Sequence, residues 1–381
     1  MRKTFSYILL IALAFLFSCS KTTGNQEDEA NTIRLKWFSS HQKDSFENHT
    51  IALKWCLSYL GSNKIVIDDF EALTYNDPYI TLDINKLGFD DNAINQLKKL
   101  HLIFKTSEEY KKHGAFDIGK YIVMTLGSSH HYYKIHNTPK NIDTYTTLHL
   151  FNELKGYINN SSISNPEINR IVSYSALTEK YKQAYISKEI DAESKEVKEF
   201  EMFERMSNGQ LKFAIYDVNG NLIPNSDHQV GGAGKPAKCI WCHEVVIQPT
   251  FRPQNDFKGY LSASQLLDTL VFYGLELRNY QTSLWEESAI KNTELHTNME
   301  LSYISYMEPS AERLSLEWGI SIDEVRIKLK GIDTHRHHEF DFLGDLYHRK
   351  DVDVFAPYST IKPPGSVREE SDYEPNLLDA S

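Results

Sequence analysis

Apolar positions recur at three- and four-residue spacing in some stretches and at alternate positions in others, and each spacing predicts a different element. The run Ile51-Ala52-Leu53-Lys54-Trp55-Cys56-Leu57 predicts an apolar helix over Ser45 to Leu60, stopped by Gly61. Tyr79 to Ile84 alternates and reads as extended. Ile94, Leu97, Leu100 and Phe104 share one helical face, which predicts a helix over Asp91 to Phe104. Gly114 and Gly127 punctuate two shorter helices, with Ser128-Ser129-His130-His131-Tyr132-Tyr133 after the second. The polar stretch Asn159 to Pro166 reads as a loop and a boundary. It separates a mostly helical region, 36–158, from an α+β region, 167–349.

In the second region Arg170 to Tyr174 reads as extended, and the charged run Glu189 to Arg205 as helical. Leu211 to Ile223 reads as a β-hairpin turning at Asn219-Gly220. A calcium loop on Asp217, Asn219 and Asn221 is the sharper alternative, but His228 stands where its closing Glu belongs. A glycine-rich loop, Gly231 to Pro236, follows. Ser262 with Gln265, and Ser321 with Glu324, match capping boxes. A long helix carrying Leu266, Leu267, Leu270, Val271 and Phe272 follows Ser262, and another runs from about Glu294 to Tyr306. Residues 350–381 are rich in proline and acid and read as an extended tail. The expected fold is therefore α+β and mostly helical, with a hairpin leading into an attachment loop and a helical C-terminal part.

The formal net charge of the 381 residues is -11. Such a chain lacks the basic surface that tracks a phosphate backbone, so nucleic acid is not an expected partner. The N-terminus changes the picture more. Arg2 and Lys3 precede the apolar run Tyr7 to Phe17, which is too short for a comfortable membrane span and reads as an export signal. Leu16-Phe17-Ser18-Cys19 resembles a bacterial lipobox. The resemblance implies removal of residues 1–18, lipid on Cys19 and a tether over 19–35. Ser20, which is not Asp, points to the outer membrane, facing the periplasm.

Four cysteines are present: Cys19, Cys56, Cys239 and Cys242. Cys56 falls in an apolar helix and is expected to be a buried thiol. Cys239-Ile240-Trp241-Cys242-His243 is C-x-x-C-H, the spacing that lets two thiols join the two vinyl groups of one haem and sets the next His beneath the iron. A Cys239–Cys242 disulfide or dithiol redox site is the first alternative. A zinc half-site is the second, although the sequence has no other Cys pair to complete four ligands. Val245 to Phe251 are candidates for a pocket wall, and Trp241 for ring stacking or core packing.

The motif resembles c-type cytochromes, in the setting of a bacterial lipoprotein. The resemblance covers five residues strongly and implies one haem c, with Cys239 and Cys242 as thioether positions and His243 as axial ligand. A hairpin ahead of the motif is more similar to β-rich monohaem cytochromes than to small helical ones. Met299, Met307, His296, His335, His337 and His338 are candidates for the sixth iron ligand, and His130 and His131 rank behind them. The expected function is single-electron transfer at the membrane with redox partner proteins. A haem enzyme with an open iron site and a structural or binding lipoprotein remain as alternatives, so the sequence leaves enzymatic activity undecided.

Overall fold

The computed structural model describes residues 30–63, 72–176, 183–243, 247, 251–284 and 292–379. The expected signal segment and Cys19 lie outside the described residues. Among the described residues no helix is long and apolar enough to cross a membrane.

The first part is built on a four-stranded sheet. Strands β1 (Thr32–Lys36), β2 (Leu73–Asn76), β3 (Tyr79–Asp83) and β4 (Phe116–Asp117) lie in the order β2-β3-β1-β4, with β1 and β4 parallel. Helix α1 (Phe46–Tyr59) starts where the sequence placed it. The Ser45 side chain accepts from the Asn48 N–H, supplying one of the partners that the first helical turn lacks. Cys56 is fully buried in this helix and its thiol is pushed up to about 12 by burial. Helix α2 (Asp91–Thr106) buries Leu97, Leu100 and Phe104 on its periodic face, and α3 (Glu108–His113) follows it. Three short helices, α4 (Ile118–Ile122), α5 (Ser129–Ile135) and α6 (Ile142–Thr147), complete this part.

The second part is a six-stranded antiparallel meander: β5 (Gly156–Ile158), β6 (Ile168–Tyr174), β7 (Ala184–Asp191), β8 (Val197–Arg205), β9 (Leu211–Asp217) and β10 (Leu222–Ile223). The Asn219-Gly220 turn joins β9 to β10. The Asp217 carboxylate accepts from the Asn219 and Asn221 N–H groups, which occupies it as a turn-former.

Three expectations are corrected here. The fold is α+β, with 41% helix and 19% strand, and is not mostly helical. The stretch Glu189 to Arg205, expected to be a helix, contributes to strands β7 and β8 instead. Its charged residues suggested a solvated helix, yet cross-strand pairing and burial override that propensity. The attachment motif is also not in a loop. It occupies α7 (Pro236–His243), where Pro236 takes the first helical position that suits its fixed φ.

The remaining helices are α8 (Ala263–Leu284), α9 (Asn292–Met307), α10 (Ala311–Trp318), α11 (Ile322–Lys328) and α12 (Arg349–Val352). Both expected capping boxes form, at Ser262/Gln265 and Ser321/Glu324. Helix α9 crosses α4 closely at Gly119, where an added Cβ would stand 2.6 Å from the Ser302 carbonyl oxygen. One hydrophobic cluster runs through both sheets, so the two parts share a core.

Candidate functional site

Alternation along the meander sets Arg170, Ser187, Glu189, Glu201, Phe203 and Phe213 on one face. The register pairs Arg170 with Glu189, Ser187 with Glu201, and Phe203 with Phe213. Helix α7 lies over this face. Its His243 ring packs against both Phe203 and Phe213, at centroid distances of 5.0 and 5.5 Å, and those two rings touch each other at 5.9 Å. Ile240 is fully buried, Cys239 half-buried and Cys242 exposed, although Cys239 and Cys242 lie three residues apart and so on neighbouring parts of the helix surface. The two sulfurs are not bonded to each other.

A cavity of about 80 Å3 lies between helix and sheet, with Cys239, His243, Tyr185, Glu201 and Ile247 in its walls. Of the expected wall Val245 to Phe251, only Ile247 and Phe251 lie within the described residues. Tyr185 stacks on Phe203 at 4.3 Å, and its buried hydroxyl has no hydrogen-bond partner among the described residues. An unpaired buried hydroxyl is costly and points to a missing partner in the cavity.

The electrostatics disfavour thiolate. Burial pushes the Cys239 thiol well above its ordinary value, and nearby Glu201 adds to the shift. Burial also raises Cys242, against the opposing pull of Lys238 and Arg368. Redox-active C-x-x-C sites depress a thiol instead. Beneath the cavity Arg170 donates to Glu189 and Glu201, each at 2.6 Å. Burial raises the Glu201 carboxyl above the usual range although Arg170 opposes it. Glu199, which accepts from the Ser226 hydroxyl, is pushed up to about 7 by burial. Sequence reasoning missed this cluster because the segment read as helical; the i, i+2 spacing of Glu199 and Glu201 was the available strand signal.

The opposite side of α7 is held by the C-terminal segment. Arg368 lies 4.5 Å over the Trp241 ring, and the His296 ring packs against that same Trp at 4.7 Å. Lys235, almost fully buried, donates to Glu374 at 2.5 Å and to the Ser366 carbonyl. Gly234 has φ 61°, and a Cβ there would strike the Arg368 carbonyl oxygen.

None of the six candidate sixth ligands lines the cavity of Cys239 and His243. His296 and Met299 are buried, with His296 on the Trp241 side. Met307 lines a different cavity. His335 pairs with Glu308 at 2.7 Å and stacks on His348, while His337 stacks on His338. His130 is half-buried, and His131 donates to the Met124 carbonyl and accepts the Leu377 N–H.

A second chain, Ser302–His49–Asp44, has the residue types of a catalytic triad, at 3.0 and 2.8 Å. Ser302 is 1% exposed and donates to the Asn298 carbonyl, so no substrate reaches its hydroxyl. The chain clamps residues 37–49 to α9. Among the described residues no three His, Cys, Asp or Glu side chains converge as ligands for a metal ion.

The donor chemistry fits a c-type haem: two unbonded thiols and an adjacent imidazole on one helix, over an aromatic face with an orphan hydroxyl. The enclosed volume, about 80 Å3, is smaller than a porphyrin. No protein-family model matches the chain, and no curated protein or solved structure matches it either.

Proposed function

We propose that this chain is a lipid-anchored c-type haem protein of the bacterial cell envelope that carries single electrons. Cys239 and Cys242 are the thioether positions, His243 is the axial ligand, and Cys19 carries the lipid. The observation that carries the reading is the C-x-x-C-H run on one helix, its thiols unbonded and its imidazole packed against Phe203 and Phe213. Attachment needs no oxidant, because each S–H adds across a vinyl C=C. The sulfur bonds one carbon and the proton goes to the other. The bound group supplies a one-electron iron couple. With haem bound, Phe203 and Phe213 would orient the imidazole, the aromatic walls would exclude water, and Arg170 and Glu201, which line the same cavity, would set the local charge. The raised thiols favour this reading over a dithiol redox site. The outer-membrane, periplasm-facing location rests on the lipobox and Ser20, and redox partner proteins follow from the carrier role.

A second reading, a haem enzyme with an open iron position, is favoured by the absence of every candidate sixth ligand from the cavity walls. Reduced-minus-oxidised visible spectra with carbon monoxide separate the two. A reversible low-spin couple that ignores carbon monoxide is expected of a carrier. Carbon monoxide binding to native protein selects the enzyme, and the absence of any haem band refutes both.

A further inference from the structure

A second, larger cavity of about 920 Å3 lies where the C-terminal segment crosses the end of α9. Its apolar walls come from Ile304 and Met307 on one side and Pro357, Pro363 and Val367 on the other. A volume of this order holds a molecule of drug-like size.

The charges around it are unevenly matched. Each lining carboxylate is engaged: Glu308 by His335, Asp353 by Arg349, Glu369 by Lys238, and Glu108 by the Ser359 N–H. Lys350 and Lys362 are exposed at the lining and have no carboxylate partner among the described residues. Lys362 only lies over the Tyr373 ring, at 4.0 Å. A second observation is independent of these charges. Tyr303, 6% exposed, stands in the wall, and its hydroxyl has no hydrogen-bond partner among the described residues. A buried donor without an acceptor, in a cavity that joins apolar wall segments to unmatched cations, is a complement to an anionic headgroup on an apolar body.

We infer that this cavity binds a small organic anion with an aromatic or aliphatic body, its charged group held by Lys350 and Lys362 and within reach of the Tyr303 hydroxyl. The site is separate from the cysteine–histidine cavity and does not depend on haem attachment. It adjoins α7 through Arg368, which lines it and covers Trp241.

The test titrates the full mature chain with 1-anilinonaphthalene-8-sulfonate, a fluorescent aromatic anion, and with uncharged N-phenyl-1-naphthylamine. One saturable site for the anion is expected, weakened about tenfold or more in the Lys350→Glu/Lys362→Glu double variant and less in Tyr303→Phe. The uncharged probe is expected to bind less tightly and to be indifferent to the charge reversal. Both lysines are exposed, so circular dichroism and melting of the double variant should match the parent. Val271→Asp/Leu275→Asp, on the exposed apolar face of α8, controls for the probe's other attractive surface and is expected to change nothing. The inference is overturned if no saturable binding occurs, if charge reversal leaves the anion's affinity within about twofold, or if the α8 variant abolishes binding.

Discussion

Cys239 and Cys242 lie three positions apart on one helix and see different surroundings. Cys239 faces the cavity, whereas Cys242 faces solvent near Lys238 and Arg368. On the haem reading, Cys239→Ala and Cys242→Ala each leave at most one thioether, and haem-stained holoprotein should fall severalfold in both. Equal holoprotein yields from both variants and the parent would count against covalent attachment. At this scale the buried imidazoles set the acid limit of the fold. Burial lowers His101 and His136 to about 3 and His131 to about 4. The unfolded chain binds these protons near the ordinary value of about 6.5, so their stabilisation is present above that pH and is lost as pH falls toward 4. Glu199 works in the opposite sense. Its raised carboxyl, at about 7, means stability is lost as pH rises from the ordinary carboxylate range through neutrality. Urea midpoints should therefore fall from pH 6.5 to pH 5, because three imidazoles outweigh one carboxyl, and Glu199→Gln should steepen that fall.

Among the elements, those with a local signal were legible. Helices α1 and α2, the Asn219-Gly220 hairpin and both capping boxes stand where periodicity and turn chemistry put them. The sheet that carries the candidate site was only partly legible, since Glu189, Glu199 and Glu201 read as a solvated helix. Their burial depends on Arg170, and on Ser226 further along the chain, partners that no local window contains. The motif itself was legible as chemistry, but not its helix, because the preceding glycines suggested a continuing loop. Neither Tyr185 nor Tyr303 carries a sequence signal that separates it from the other tyrosines. The crossing of α4 and α9 is a contact of the same non-local kind. In Gly119→Ala the new Cβ would meet the Ser302 backbone at 2.6 Å, so the helices must separate. A loss of about 1–3 kcal/mol is expected, read as a lower denaturant midpoint with an unchanged m-value.

For the whole molecule, the C-terminal segment joins parts that the sequence read as separate. It runs from Ser359 on Glu108, past Arg368 on Trp241, to Glu374 on Lys235 and Ser129, and on to Leu377 on His131 and Asp379 on Lys134. The segment therefore ties the motif helix to the N-terminal layer. Lys235→Met leaves Glu374 without its buried partner and should cost about 3 kcal/mol in global stability, whereas Lys238→Met, at an exposed pair, should cost under about 1 kcal/mol. Comparative urea unfolding of the two variants checks this difference.

Mass spectrometry of the mature protein, produced with haem-attachment machinery and digested, tests the central claim most directly. The account predicts a peptide containing Cys239 to His243 that is heavier by one haem, with no free thiol at Cys239 or Cys242. The same peptide at its unmodified mass, or two protons lighter as a disulfide, from protein without a Soret band would contradict it.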